Sequence, residues 1–335
     1  MKAPEAPENP YYTIHAIPGK GYGCFATTNI KRGTRILTDT PLLIVKIADY
    51  LHSDVQKAFD ALSPNDQALY FSLHSAHGQS TSSWPPRIHD SVGIQERRRI
   101  EEQHDARVGP SPSLVSIFQT NCMEMEGGAA VFAHAARFNH SCNPNATFTW
   151  NPTIRKETIH TITDIAKDDQ ITLAYIDIVH DKATRLWELK HYGFVCDCAA
   201  CSGDDSDPKS FAAQSAERRF RLDELNEGLK RLRGPYLEIG ARDEGFIKKM
   251  LEFAKLLREE GHYTARLADT YLDIALVAER NGDYGTAKIC ALNALRVKID
   301  SQGRDFPEVP KYESVVRRIK GLIKLSQEVS VNNGR

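Results

Sequence analysis

Nowhere in these 335 residues do 18 apolar residues run together, so the sequence contains nothing that reads as a membrane-spanning helix. A surplus of charge is missing as well: 43 Lys and Arg stand against 44 Asp and Glu, for a net charge of −1. Such a chain has no overall field to attract a phosphate backbone, and direct nucleic-acid binding is not expected. Seven cysteines are too few for a disulfide scaffold at this length. The G-x-S-x-G elbow of serine hydrolases and the Walker loop of nucleotide triphosphatases are both absent. The opening MKAPEAPENP offers charge and proline where a secretory signal would be apolar. These absences lead to the expectation of an intracellular globular protein with residues 1–10 disordered.

A hydrophobic content of 41 % suffices for two or three structural units. From Tyr11 to Lys46, β-rich runs are broken by Gly19-Lys20-Gly21-Tyr22-Gly23 and by Lys31-Arg32-Gly33, which predicts strands joined by tight turns. Between about 46 and 112 the pattern turns helical: Val55, Phe59 and Leu62 precede a Ser63-Pro64 helix start, and Ala68, Leu69, Phe71 and Leu73 follow it. The alanine-rich 129–138 stretch is also expected to be helical. Strands return over 146–176, where Ile171, Leu173 and Tyr175 alternate and so share a face. Asp181 starts a short helix toward His191. After a GDDSDPKS linker, residues 210–330 read as five amphipathic helices punctuated by Gly234-Pro235, Gly261, Gly282 and Gly303. Within them Tyr271, Ile274, Ala275, Gly282, Ala287 and Ala294 loosely match one tetratricopeptide (TPR) unit, and a plain helical bundle explains the pattern equally well.

Chemistry concentrates in three blocks. Asn139-His140-Ser141-Cys142-Asn143-Pro144-Asn145 gathers amides, an imidazole, a thiol and a proline that compete for backbone hydrogen bonds. Such a segment is poor helix or strand material and suited to holding something. The second block carries Tyr175, and the third reads Tyr192-Gly-Phe194-Val-Cys196-Asp-Cys198-Ala-Ala-Cys201. Cys-x-Cys-x2-Cys supplies three thiolates, and a tetrahedral zinc site needs a fourth ligand, for which Cys142 is the natural candidate. Four thiolates leave no open coordination position, so such a metal would be structural.

The order of glycine turn, helical insertion, Asn-His-Ser-Cys loop, tyrosine strand and cysteine tail resembles a SET-domain methyltransferase with its post-SET tail, over about residues 11–201. With the helical C-terminal region, the chain is most similar to the SET-and-MYND group and its fungal-type relatives. The MYND zinc finger of that group should fall within 46–112, a stretch that holds no cysteine, so the finger is lacking.

The resemblance implies an α+β fold. A SET β-clip of small curved sheets with a threaded C-terminal segment would occupy 11–195, a post-SET zinc-binding tail 196–204, and an all-α, TPR-like or plain, bundle 210–330. It implies S-adenosylmethionine as cofactor, left as S-adenosylhomocysteine, with contacts from Lys20, Gly21, Tyr22, Asn121, Asn139, His140, Tyr175 and Phe194. Cys142, Cys196, Cys198 and Cys201 would hold structural Zn2+. Tyr175 would carry the chemical step, with Tyr192 beside it in the substrate channel. The expected partner is a protein presenting a lysine, histone or non-histone, and the expected state is a monomer in nucleus, cytoplasm or both. A non-catalytic scaffold of the same fold, or transfer to a non-lysine or small-molecule acceptor, are the competing readings.

Overall fold

The computed structural model describes residues 7–84, 88–204, 206–239 and 244–333. Residues 1–6 of the expected disordered N-terminus, and residue 205 of the linker, lie outside the described residues. Strands β1 (Tyr12–Ile17) and β2 (Gly21–Ala26) form an antiparallel hairpin in which Ile17 pairs with Gly21. Gly19 and Gly21 take φ of +74° and +71°, a backbone that L side chains rarely adopt, and this closes the turn around Lys20. Strands β3 (Arg35–Asp39) and β4 (Leu43–Val45) lead into the inserted helices α1 (His52–Asp60), α2 (Pro64–Phe71), α3 (Ile94–Val108) and α4 (Leu114–Asn121). Ser63 caps α2, its side chain accepting the Asp66 N–H with Pro64 in the first turn. The insertion packs around Val55, Tyr70, Ile117 and Phe118.

The stretch expected to be helical over 129–138 instead begins inside strand β6 (Gly128–Val131), the second strand of a hairpin with β5 (Cys122–Met125), and continues to a single 3-10 turn at Ala135–Arg137. Gly127, at φ +76°, turns the chain, and a Cβ on Gly128 would lie 2.1 Å from the Val45 carbonyl oxygen. The glycine pair therefore seats β6 between β4 and β5, and the alanines fill that narrow space rather than a helix face. Next come β7 (Asn139–His140), β8 (Ala146–Asn151), β9 (Lys156–Thr161) and β10 (Gln170–Leu173). Among the described residues three small sheets result, ordered β1-β2-β10-β7, β3-β9-β8 and β4-β6-β5. Their shared core contains Tyr12, Ile36, Phe132, Phe138, Ile159, Ile171 and Leu173.

Beyond β10, α5 (Lys182–Leu189) is capped by Asp181, which accepts the Thr184 N–H at 2.7 Å, and α6 (Ala199–Ser202) ends the cysteine tail. Five helices follow among the described residues: α7 (Phe211–Ile239), α8 (Glu244–Glu259), α9 (Ala265–Arg280), α10 (Tyr284–Gln302) and α11 (Val309–Asn333). The expected break at Gly234-Pro235 does not occur, since α7 runs through it. Tyr271, Ile274, Ala275, Ala287 and Ala294 are buried in the core of this helical region. No described helix is long and apolar enough to cross a membrane.

Polar joints tie the helices to the sheets. Arg32 pairs with Asp300 at 2.9 Å, Arg35 with Asp305, and Arg266 grips both oxygens of Asp177 at 3.0 and 2.9 Å.

Candidate active site

The parallel pairing of β7 with β10 sets Thr172 beside Asn139 and Leu173 beside His140, and so delivers the polar loop next to the segment that carries Tyr175. The strand ends at Leu173, so Tyr175 lies just past it instead of continuing the alternation. What fixes Tyr175 is hydrogen bonding. Its backbone N–H donates to His140 Nδ1 at 3.0 Å, its hydroxyl donates to the Phe138 carbonyl at 2.5 Å, and its own carbonyl accepts the Tyr192 hydroxyl at 3.1 Å. With Nδ1 accepting a backbone proton, the neutral His140 ring carries its hydrogen on Nε2, which faces Cys142 Sγ at 3.3 Å. Burial pushes the His140 pKa down to about 4, so neutrality holds across the physiological range.

Aromatic rings line the same space. The Tyr175 centroid lies 5.0 Å from Tyr192, 5.3 Å from His140 and 6.4 Å from Phe194. Burial pushes the Tyr175 phenol well above its ordinary range and Tyr192 up to about 12. Both are neutral phenols near pH 7. The Tyr175 oxygen, whose hydrogen is engaged by the Phe138 carbonyl, keeps lone pairs free to accept weak hydrogen bonds. Phe194 is 37 % exposed and presents a ring that a flat ligand can cover.

At the hairpin turn, Lys20 reaches across to Asp197 of the cysteine tail at 2.5 Å, while the Tyr22 carbonyl accepts the Asn139 side-chain amide at 3.0 Å. Gly23 enables that approach: a Cβ there would stand 2.6 Å from Gln170 Nε2 and Ile17 Cδ1, and 3.0 Å from Asn139 Nδ2. Nothing lies within 4 Å of a Cβ built on Gly19 or Gly21, so the backbone of the turn is open to a ligand. Lys20, Gly21, Tyr22, Asn139, His140, Tyr175, Tyr192 and Phe194 are thus linked through the hairpin, the β7–β10 pair and the tail. Asn121 is placed differently. It is buried at the end of α4 with its amide donating to the His74 and Ile117 carbonyls, each at 2.7 Å, so its donor is already engaged within the insertion.

The four cysteines meet. Ligand atoms of Cys142, Cys196, Cys198 and Cys201 all lie within 4.8 Å of one another, with Cys142 Sγ 3.5 Å from Cys201 Sγ and 4.0 Å from Cys196 Sγ. A tetrahedral zinc–thiolate centre with bonds near 2.3 Å requires sulfur separations of about 3.8 Å, so spacing and donor chemistry both fit that ion. Hydrogen bonding from Cys142 pushes the Cys198 and Cys201 thiols down, Cys201 to about 6, while hydrogen bonds with the other sulfurs hold the Cys142 proton on. A divalent cation is what would let all four ionise together.

Several residues here had no local signature. Gly23 belongs to a visible glycine cluster, yet only the contact with Asn139 distinguishes it from Gly19 and Gly21. Arg185, 1 % exposed on α5, donates to the His180 carbonyl at 2.6 Å and lies 3.8 Å from Cys201 Sγ. Arg219, equally buried on α7, donates to the Cys142 carbonyl at 2.7 Å while paired with the fully buried Glu260 at 2.9 Å. Arginines scattered on amphipathic helices read as solvent-facing, so sequence alone gave no reason to select these two.

Comparison with known proteins adds to this geometry. Residues 21–176 match the family model described as SET domain. Over 206 residues the chain is 31 % identical to the histone-lysine N-methyltransferase set5 of Schizosaccharomyces pombe, covering 59 % of this chain and 53 % of that one. Over 101 residues it is 36 % identical to the N-lysine methyltransferase SMYD2-B of Danio rerio, covering 30 % and 22 %. The chain therefore spans about half of the first relative's length and about a fifth of the second's. A solved structure of Rubisco LSMT bound to AdoMet aligns over 95 % of this chain and 88 % of its own, at 11 % identity and a TM-score of 0.36.

Proposed function

The chain carries a SET domain over residues 21–176, and from that premise we propose that it is an S-adenosylmethionine-dependent protein-lysine N-methyltransferase. The observation that carries this reading is the triple anchoring of Tyr175, by His140, Phe138 and Tyr192, at the meeting point of the glycine turn and the cysteine tail. When bound, the cofactor supplies a methyl group on a sulfonium centre. Backbone atoms at Lys20, Gly21 and Tyr22, together with Asn139 and His140, hold its polar end, and Phe194 covers its ring. Asn121 contributes from the α4 side, its amide oxygen being the group left to do so.

Methyl transfer is an in-line displacement, so the protein's task is alignment and exclusion of water. Tyr175 and Tyr192 wall the lysine channel, and the Tyr175 oxygen accepts weak hydrogen bonds from polarised C–H and from the incoming amine. Because burial keeps its phenol protonated, Tyr175 acts by position and dipole and does not remove the substrate's proton. The four cysteines bind structural Zn2+, which fixes the tail that brings Tyr192 and Phe194 to the site. The substrate is a protein lysine. A histone is suggested by the name of the S. pombe relative, while that of the Danio rerio relative specifies only a lysine, which leaves a non-histone protein open as substrate.

The test is incubation of zinc-loaded protein with methyl-labelled S-adenosylmethionine, histone octamer and cell extract, with Tyr175→Phe alongside. Label on a protein band with the wild type, reduced about 100-fold or more in Tyr175→Phe with cofactor binding intact, is the expected result. Cofactor binding without transfer to any protein would move the reading to a scaffold or a small-molecule acceptor. No cofactor binding would overturn it.

A further inference from the structure

A cavity of about 260 Å3 opens between the turn preceding β3 and helices α8, α9 and α10, away from every residue assigned above to methyl transfer. Three guanidinium groups line it: Arg32 from the sheet side, Arg258 from the end of α8 and Arg296 from α10. Tyr263, Tyr271 and Asn293 supply further polar lining. Arg258 and Arg296 are exposed and solvated, so their charges are tolerated there, and an anion entering the cavity would be attracted by all three groups. Among the described residues, the carboxylate paired with these arginines is that of Asp300. Asp300 pairs with Arg32 at 2.9 Å and reaches Arg296 at 3.9 Å. Three positive groups against that one negative leave an excess of two.

The arginines are also oriented. The Arg32 guanidinium carbon sits over the Tyr263 ring, 3.8 Å from its centroid, and its Nε is buried with no hydrogen-bond partner. Tyr271 and Tyr263 line the cavity with Arg258 and favour its charged form. A buried N–H left without an acceptor is costly, and an oxygen-rich ligand would satisfy it.

We propose that this cavity binds a phosphoryl group, borne either by a phosphorylated protein side chain or by a small phosphorylated molecule. A phosphate monoester carries roughly −1.5 to −2 charge near pH 7, which matches the excess. Its terminal oxygens accept donors from several directions, as three separately oriented guanidinium groups offer, whereas one carboxylate would cancel only half of the charge. Since Arg32 belongs to the sheet region and Arg258 and Arg296 to the helical region, the ligand clamps the two together.

Calorimetric titration and thermal unfolding of the full chain test this, with inorganic phosphate, pyrophosphate and a phosphoserine peptide at ionic strength held constant with sodium chloride. Saturable binding and a raised unfolding temperature are expected. Arg258→Gln and Arg296→Gln, both at exposed positions, should each weaken binding by about tenfold, while Lys324→Gln, an exposed lysine on α11, leaves it unchanged. Tighter binding of the phosphopeptide than of pyrophosphate assigns the ligand to a protein, and the reverse order assigns it to a small molecule. The proposal is overturned if no phosphate probe acts beyond sodium chloride, if the unphosphorylated peptide binds as well, or if Arg258→Gln and Arg296→Gln both bind like the wild type.

Discussion

The helical region from α7 onward buries one continuous apolar cluster, running from Leu222 through Leu257, Ile274 and Ala294 to Ile319. Around the cysteines of the site, the described residues bury just Leu189 and Ala200, with Tyr175, Ile176 and Tyr192 packed against them partly buried. Regular structure follows the same division. The helices satisfy their own backbone, whereas the site loop depends on side chains: His140 on Tyr175, Tyr192 on Tyr175, Arg219 on Cys142 and sulfur on sulfur. On the proposed function this surface has to stay open to a cofactor and a substrate and cannot be filled with its own apolar groups, so directed bonds, and the metal proposed for the cysteines, would replace packing there. The helical half should therefore lose stability gradually under substitution, and the site half should lose function abruptly.

The largest effect expected from that contrast is at the metal ligands. Cys201→Ser, or chelation, should abolish methyl transfer while far-ultraviolet circular dichroism keeps the helical signal, because the ion would replace a core in the tail and not in α7–α11. If chelated protein stays fully active, the distinction between the halves fails. Second is the joint itself. Arg219→Ala should destabilise by about 3 kcal/mol in urea unfolding, at the low end for a broken buried pair because Arg218 and Ser215 still contact Glu260.

Third is a pH effect confined to the sheet half. Glu157 is fully buried opposite Asp39, neither of its oxygens has a hydrogen-bond partner, and burial raises its pKa to about 8. Its folded pKa lies above its unfolded one, so the protonated form is favoured by folding and stability falls as pH rises from about 4.5 to 8. Glu157→Gln should flatten that decline, with a gain of about 2 kcal/mol over wild type appearing between pH 5 and pH 7 in thermal unfolding. A parallel pH dependence in both proteins would remove Glu157 as the cause. The smallest effect belongs to the helical core: Ile274→Val should cost about 1 kcal/mol and leave the affinity for S-adenosylmethionine unaltered. A change in that affinity would show the two halves to be more tightly coupled than their bonding suggests.

Where local rules sufficed, the sequence was legible. The Ser63-Pro64 helix start, the Asp181 cap and the helical periodicity beyond Phe211 each depend on residues within a few positions, and each element stands where its pattern predicts. The alanine-rich 129–138 stretch failed because Gly127-Gly128 and the contact with Val45, more than 80 residues earlier, outweigh alanine's helix preference. The break expected at Gly234-Pro235 is likewise a local signal that the fold does not follow, since α7 continues through it.

By itself the sequence determined the inventory of reactive groups, their order, and the helical or extended habit of most segments, since these depend on neighbours along the chain. Tertiary structure alone decided which groups meet. The parallel register of β7 on β10 joins His140 to Tyr175, 35 residues apart, and folding of the tail brings Cys196 to Cys142 across 54. It also turned Arg185 and Arg219, ordinary charges on paper, into buried supports of the cysteine centre. No periodicity encodes such meetings, because long-range pairing is chosen by the summed packing of whole sheets and helices and not by any residue's own preference.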